Sequence, residues 1–237
     1  GIRLYRGAQR LLSLEEQVLD EVAADGDGEL TGTLSLGAST GPAAVVVPQL
    51  LCEFQERHPA VRISLEVHDT QTVVDLVAER DLELGIVGAS RRHRAVRFEA
   101  FASDEVILVC RRDHPLAGKT LAPEELRGQS LILMQEGAGV RQVVEDELRR
   151  LGVRFRDLDV RLELGLQESV RAAVAGGYGI TFISRASVEA ELEAGTLVEA
   201  RVAGMDARRQ ISLVRGTGRS ATRVADAFVA FARDRVA

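Results

Sequence analysis

Two spacings of apolar residues divide this chain. Between residues 1 and 24 the spacing is helical. Leu4, Leu11 and Val18 recur at seven, as do Tyr5, Leu12 and Leu19, while Glu15, Glu16 and Asp20 fall mostly elsewhere. The stripe stops at DGDGE, a glycine–aspartate run that breaks a helix. A stripe of this kind is buried either against another copy of itself or against its own domain, and the pattern admits both.

From Leu30 the rhythm changes. LTGTLSLGA alternates as a strand does, and STGPAAVVVPQLLCEFQERHP is helical with Pro42 in its first turn. VRISLEVHD is again a strand, followed by a helix from about Thr70 to Arg80 and the strand LELGIVG. EVILVC, starting at Glu105, opens a second series: SLILM, a helix over 140–151, DVRLEL, a helix over 168–176, GITFIS and a helix over 186–194. RQISLVRG then reads as one more strand and ATRVADAFVAFARDR as a final amphipathic helix. Strands and helices alternating at short spacing predict an α/β fold with a largely parallel sheet. Two such series, with a last strand and helix after the second, predict two lobes crossed twice by the backbone. The expected division is a linker helix over 1–28, a first lobe of 30–102 with 206–237, and a second lobe of 103–205.

Composition narrows the function more than the fold. The 237 residues are enough for a substantial core, and the net charge of −6 is not that of a self-sufficient nucleic-acid binder. Tryptophan is absent and aromatics are sparse, so no base-stacking platform is available. No apolar run reaches the roughly 20 residues of a membrane span, and GIRLYRGAQRLL lacks a secretory core with a cleavage site. Cys52 and Cys110 sit in apolar segments without metal spacing and read as buried core thiols in a reducing compartment, with a redox pair as the alternative.

Catalytic chemistry is poorly supplied. His58, His68, His93 and His114 are scattered over different elements, and His58 and His114 precede prolines in turns. No Ser-His-Asp order with a Gly-x-Ser-x-Gly elbow appears, nor a His-Glu-x-x-His helix or cysteine–histidine metal spacing, and no Walker loop follows the first strand. The expectation is no catalytic residue, no metal and no cofactor. Ligand-binding chemistry is better represented. Ser39, Thr40 and Gly41 stand between the first strand's carboxyl end and a helix. Gly137, Gly139, Val140 and Arg141 hold the same place after SLILM, and Gln167 and Glu168 after DVRLEL. Each junction serves either as a connecting turn with a helix cap or as an anion site, because helix N-termini carry unpaired N–H donors and open α/β sheets bind ligands at strand carboxyl ends. The basic run Arg91 to Arg94 is either a solvated loop or added positive potential.

These segments carry a resemblance. GTLSLGAS, PQLLCEFQERHPAVRISLEV, LELGIVG, EVILVCRRDHPLAG and ESVRAAVAGGYGITFIS together resemble the LysR-type transcriptional regulators, in their linker helix and effector-binding domain, over essentially the whole chain. The resemblance implies two α/β lobes like those of type 2 periplasmic binding proteins, with a small anionic effector in the cleft between them. It implies a cytoplasmic regulator that reads promoter DNA through an N-terminal winged helix-turn-helix, expected before Gly1. It further implies a dimerising linker helix, effector domains of different copies paired side by side, and a homodimer or homotetramer. EGAGVR and ESVRAAVAGGYGITFIS are most similar to a branch that responds to small sulfur or inorganic anions. Ala138 and Val140 stand where many relatives carry hydroxyls, so two side-chain donors are lost while the N–H groups and Arg141 remain. A sulfur oxyanion or a small carboxylate is the implied effector. A periplasmic-type solute-binding protein is the alternative, with the N-terminal heptad stripe against it.

Overall fold

The computed structural model describes residues 29–88, 93–218 and 221–236, together with Ala8 and Glu15. The helix expected over 1–24, with its Leu4, Leu11 and Val18 seam, otherwise lies outside the described residues. Ala8 and Glu15 are helical and exposed. The chain forms two compact units, one made of residues up to Ala102 and from Ser212 onward, the other of Ser103–Ile211.

The first unit is built on β1 (Gly32–Ser39), β2 (Val61–His68) and β3 (Leu84–Val87). β1 lies between the other two and parallel to both, with Gly32 beside Val61 and Leu36 beside Leu84. The strand β10 (Arg208–Gly216) closes the sheet antiparallel to β3, giving the order β2-β1-β3-β10. Alternation in β1 is used as expected: Leu34, Leu36 and Ala38 are fully buried. Helices α1 (Thr40–Val45), α2 (Val47–Arg57), α3 (Thr70–Glu79) and α7 (Arg223–Val236) pack on this sheet. Phe54 of α2 meets Phe228 of α7 edge to face, with ring centroids 5.2 Å apart.

Read as one helix from the sequence, α1 and α2 are interrupted at Val46. Pro48 brings no N–H to the ladder and its ring crowds the carbonyl one turn earlier, so the helix restarts there. This break also turns Cys52 outward. Cys52 is exposed, contrary to the expectation from its apolar neighbours, whereas Cys110 is buried and burial pushes its thiol pKa up.

The second unit repeats the order. β6 (Ser130–Met134) lies between β7 (Asp159–Leu164) and β8 (Ile180–Ser184), parallel to both. The strand β4 (Val96–Arg111) closes it antiparallel to β8, and β9 (Leu197–Val202) pairs with β4 on its other side. A short β5 (Thr120–Leu121) runs parallel to β9. Helices α4 (Gly139–Arg150), α5 (Gln167–Ala175) and α6 (Glu189–Glu193) complete the unit. The helix expected over 186–194 is shorter because Arg185–Ser187 forms a 3-10 turn first. Gly179 explains part of AGGYGI: a Cβ there would lie 2.3 Å from the Ser130 carbonyl oxygen, so any side chain would push β8 away from β6.

Both strands that connect the units meet at a buried ion pair. Asp104 of β4 accepts from Arg209 of β10 at Nε (2.8 Å) and Nη2 (2.6 Å), and from the Ser184 hydroxyl of β8 (2.6 Å). The two charged side chains are only 4% and 8% exposed. Asp104→Ala is expected to cost about 3–5 kcal/mol by denaturant unfolding, because it strands a buried guanidinium. Replacing the pair by Leu and Met together should cost less. A maleimide reagent should modify one thiol of the folded chain rapidly, Cys52, and the second only on unfolding; two fast sites would contradict the burial of Cys110.

Candidate functional site

The three strand-to-helix junctions singled out in the sequence have unequal chemistry. In the first unit, β1 delivers Ser39 to its carboxyl end, next to the end of β3. The buried Ser39 hydroxyl accepts from the Gly88 N–H (3.2 Å) and makes no cap bond to α1. Its proton is left to donate elsewhere. Thr40 is half-buried and Gly41 buried, at the start of a six-residue helix. Because β1 and β3 are the strands between which the order reverses, this corner is the unit's topological switch point.

The second unit has the same switch point between β6 and β8, reached through Gln135–Ala138. Gly137 takes φ +85°, a turn that favours glycine, and Ala138 occupies the N-cap of α4. An alanine cannot cap, and no acidic residue sits in the first turn of α4, so among the described residues no side chain of the cap or first turn accepts from the N–H groups of Gly139, Val140 and Arg141. Gly139 and Val140 are buried. The Arg141 side chain is committed elsewhere. It donates to Glu145 (Nε, 2.9 Å), Glu163 (Nη1, 2.6 Å) and the Met134 carbonyl (3.3 Å), and stacks over Phe155 at 5.0 Å. Burial works against its charge, but the two carboxylates outweigh burial and raise its pKa. It therefore braces α4 against β6 and β7 as well as carrying charge.

Next door, α5 begins on Gln167 with Leu166 at its N-cap, again without a side-chain cap. Gln167 is 4% exposed, and its amide finds no partner among the described residues at either Oε1 or Nε2. Glu168 is exposed. Of the basic run, Arg91 and Arg92 lie outside the described residues, while the Arg94 carbonyl accepts from the Thr217 hydroxyl (3.5 Å).

One residue went unread in the sequence. Thr70 is the first residue of α3, 2% exposed, and its hydroxyl also lacks a partner among the described residues. The signal was present in HDTQT, where Asp69 already supplies the cap and so leaves Thr70 without that role. Asp69 accepts from the Thr72 N–H (3.0 Å) and the Thr72 hydroxyl (2.6 Å). By contrast, a pocket of about 150 Å³ at the other end of the first unit is lined in part by polar groups already in use. Glu83 accepts from the Ser35 N–H, Arg215 pairs with Asp226, and the Thr222 hydroxyl accepts from Ala225. Among the described residues no cluster of side chains is arranged to hold a metal ion.

The LysR substrate binding domain model matches residues 27–237, and the chain belongs to that family. The RuBisCO operon transcriptional regulator of Acidithiobacillus ferrooxidans is 31% identical over 232 residues, covering 98% of this chain and 74% of that protein. The phosphonates import ATP-binding protein PhnC of Anaeromyxobacter dehalogenans is 32% identical over 217 residues, covering 92% of this chain but 43% of that protein. The chain thus spans under half of that relative's length. Among solved structures, the Synechocystis PCC6803 CcmR regulatory domain in complex with 2-PG has a TM-score of 0.79 at 25% identity, covering 87% of this chain and 98% of that one. The effector binding domain of QuiR in complex with shikimate shares the fold, with a TM-score of 0.75 at 17% identity over 87% of this chain and 98% of that one.

The Asp69 cap is open to a direct test. Burial raises its pKa, but the hydroxyl and N–H bonds from Thr72 outweigh that and hold it below the usual carboxylate value. A depressed folded pKa means the stabilisation is complete above the unfolded value of about 4 and is lost as pH falls through the folded value. Asp69→Ala should therefore cost about 1 kcal/mol at neutral pH. The gap from the parent should close in acid, and a gap unchanged down to about pH 2 would contradict the assignment.

Proposed function

We propose that this chain is the effector-sensing part of a LysR-type transcriptional regulator, and that its effector is a small anion taken at the carboxyl ends of the parallel strands. The observation that carries the reading is the start of α4 and α5. Neither helix has a side chain capping its N-terminus, so free N–H donors and the positive end of the helix dipole are available at adjacent strand ends. Ser39 and Thr40 add hydroxyls at the equivalent corner of the first unit. The relatives point the same way: one is named a RuBisCO operon transcriptional regulator, and a regulatory domain of similar structure holds 2-PG.

In this reading the chain is a sensor and not an enzyme, works in the cytoplasm, and acts on promoter DNA through a winged helix-turn-helix joined before Gly1. Its linker helix would pair copies into a homodimer or homotetramer. Among the described residues no helix is long and apolar enough to cross a membrane. The residues proposed are, within the first unit, Ser39, Thr40 and Gly41 and, within the second, Gly137, Gly139, Val140, Arg141, Gln167 and Glu168. Arg141 contributes chiefly by fixing α4, given its two carboxylate partners.

Calorimetry against a panel of small oxyanions, carboxylates and phosphate esters tests the reading. At least one is expected to bind, with Ser39→Ala and Thr40→Ala each weakening it about 10- to 100-fold, the value of one hydrogen bond to a charged group. No binding at millimolar concentration, or substitutions without effect, would falsify this assignment.

A further inference from the structure

We infer that the anion met by the second unit carries a hydroxyl beside its charge, and that Gln167 is the residue that selects for it; this rests on the anion reading above. Gln167 is nine-tenths buried or more, yet neither polar atom of its side chain has a partner among the described residues. Folded proteins rarely leave an amide in this state, because each atom gives up its hydration and receives nothing in exchange. A methionine or leucine would fill a similar space without that loss. The first unit repeats the arrangement. Thr70, also buried and unpaired at its hydroxyl, is likewise the first residue of the helix after the second strand. Each unit thus withholds one polar group from its own fold at the same topological position.

The chemistry of the amide decides the ligand class. Whichever way the group is turned, it presents one nitrogen that donates and one oxygen that accepts. A bare oxyanion such as sulfate offers acceptors alone. It would satisfy Nε2 and set its lone pairs against Oε1, which stays unpaired. A carboxylate or phosphate ester with a neighbouring hydroxyl answers both demands: a charged oxygen accepts from Nε2, and the hydroxyl donates to Oε1.

The charge does not rest on Gln167 Nε2 alone. It is met by the uncapped N–H groups of α4, a twelve-residue helix, and α5, a nine-residue one, whose N-cap residues Ala138 and Leu166 have no acceptor to offer them. The backbone holds most of the charge, and the Gln167 amide, by pairing both of its atoms, favours an anion with a hydroxyl beside it.

The test is calorimetry on the full chain with matched probes: glycolate with acetate, glycerol phosphate with propyl phosphate, and sulfate as the bare oxyanion. The parent is expected to bind the hydroxylated member of a pair about 10- to 100-fold more tightly. Gln167→Met should bind both members alike, no more tightly than the parent binds the member without the hydroxyl, and Gln167→Leu should do the same with a different shape. Without ligand, Gln167→Met should melt at or above the parent temperature, which separates lost recognition from lost folding. Equal binding of both members by the parent overturns the role of Gln167 while the anion reading stands. So does a preference that survives both substitutions. If none of the probes binds, the anion reading fails and this inference fails with it.

Discussion

Where the chain passes from one unit to the other it does so twice, on β4 and on β10, and both passages are tied by one buried carboxylate. Asp104 takes three donors, two from Arg209 and one from Ser184, so its charge is fully answered inside the second unit. A buried pair is weak evidence for stability, since two well-packed apolar side chains can do as well. Its value is positional. The acceptor and its two donor residues stand on three different strands, and only one register of β4, β8 and β10 brings them together. Slip any of the three and a charge is left unpaired in the interior.

With that register set, the two units follow the same plan by independent means. Each places its first strand between the second and third, and each is completed by an antiparallel strand that the crossing chain supplies. The order reverses beside the first strand of each unit, which is where open α/β sheets leave room for ligands. Local residues then give the two corners different chemistry. Ser39 spends one lone pair on Gly88 to hold β1 to the loop after β3, whereas Gly137 and Ala138 offer no side-chain polarity and leave the work to backbone N–H groups.

The parallel α/β class was legible because β1, β2, β6 and β8 each announce themselves by β-branched or alternating runs between turn residues. The first half of β4 was missed although VRFEAFAS alternates, since its exposed residues resemble a loop when nothing shows that a neighbouring strand lies beside them. The short β5 and β9 depend wholly on each other and on β4 for pairing, which no local pattern encodes. Cys52 was misplaced for a similar reason: apolar neighbours predict a buried helix face, but the break at Val46 resets which face that is. The helix N-termini were readable from glycine and strand endings. That Arg141 is braced by Glu163 was not, because Glu163 stands on another strand.

Thr70 went unread, and the unpaired state of Gln167 was unreadable although its junction was singled out, for a more basic reason. A threonine or glutamine at the start of a helix looks like an ordinary helix-starting residue until its burial and its lack of partners are known together. Each unpaired polar atom costs about 1–3 kcal/mol, and a domain's whole stability is about 5–15 kcal/mol. Apolar replacements of similar size were available at both positions, so the fold alone does not account for them. A ligand that supplies the missing partners returns that cost as binding energy, and one that supplies only half of them does not. On the proposed reading, the same atoms that cost the fold stability are the ones that discriminate among its ligands. Stability and recognition would then be set against each other at two side chains, while the backbone donors beside them, costing the fold little, would bind charge without discrimination.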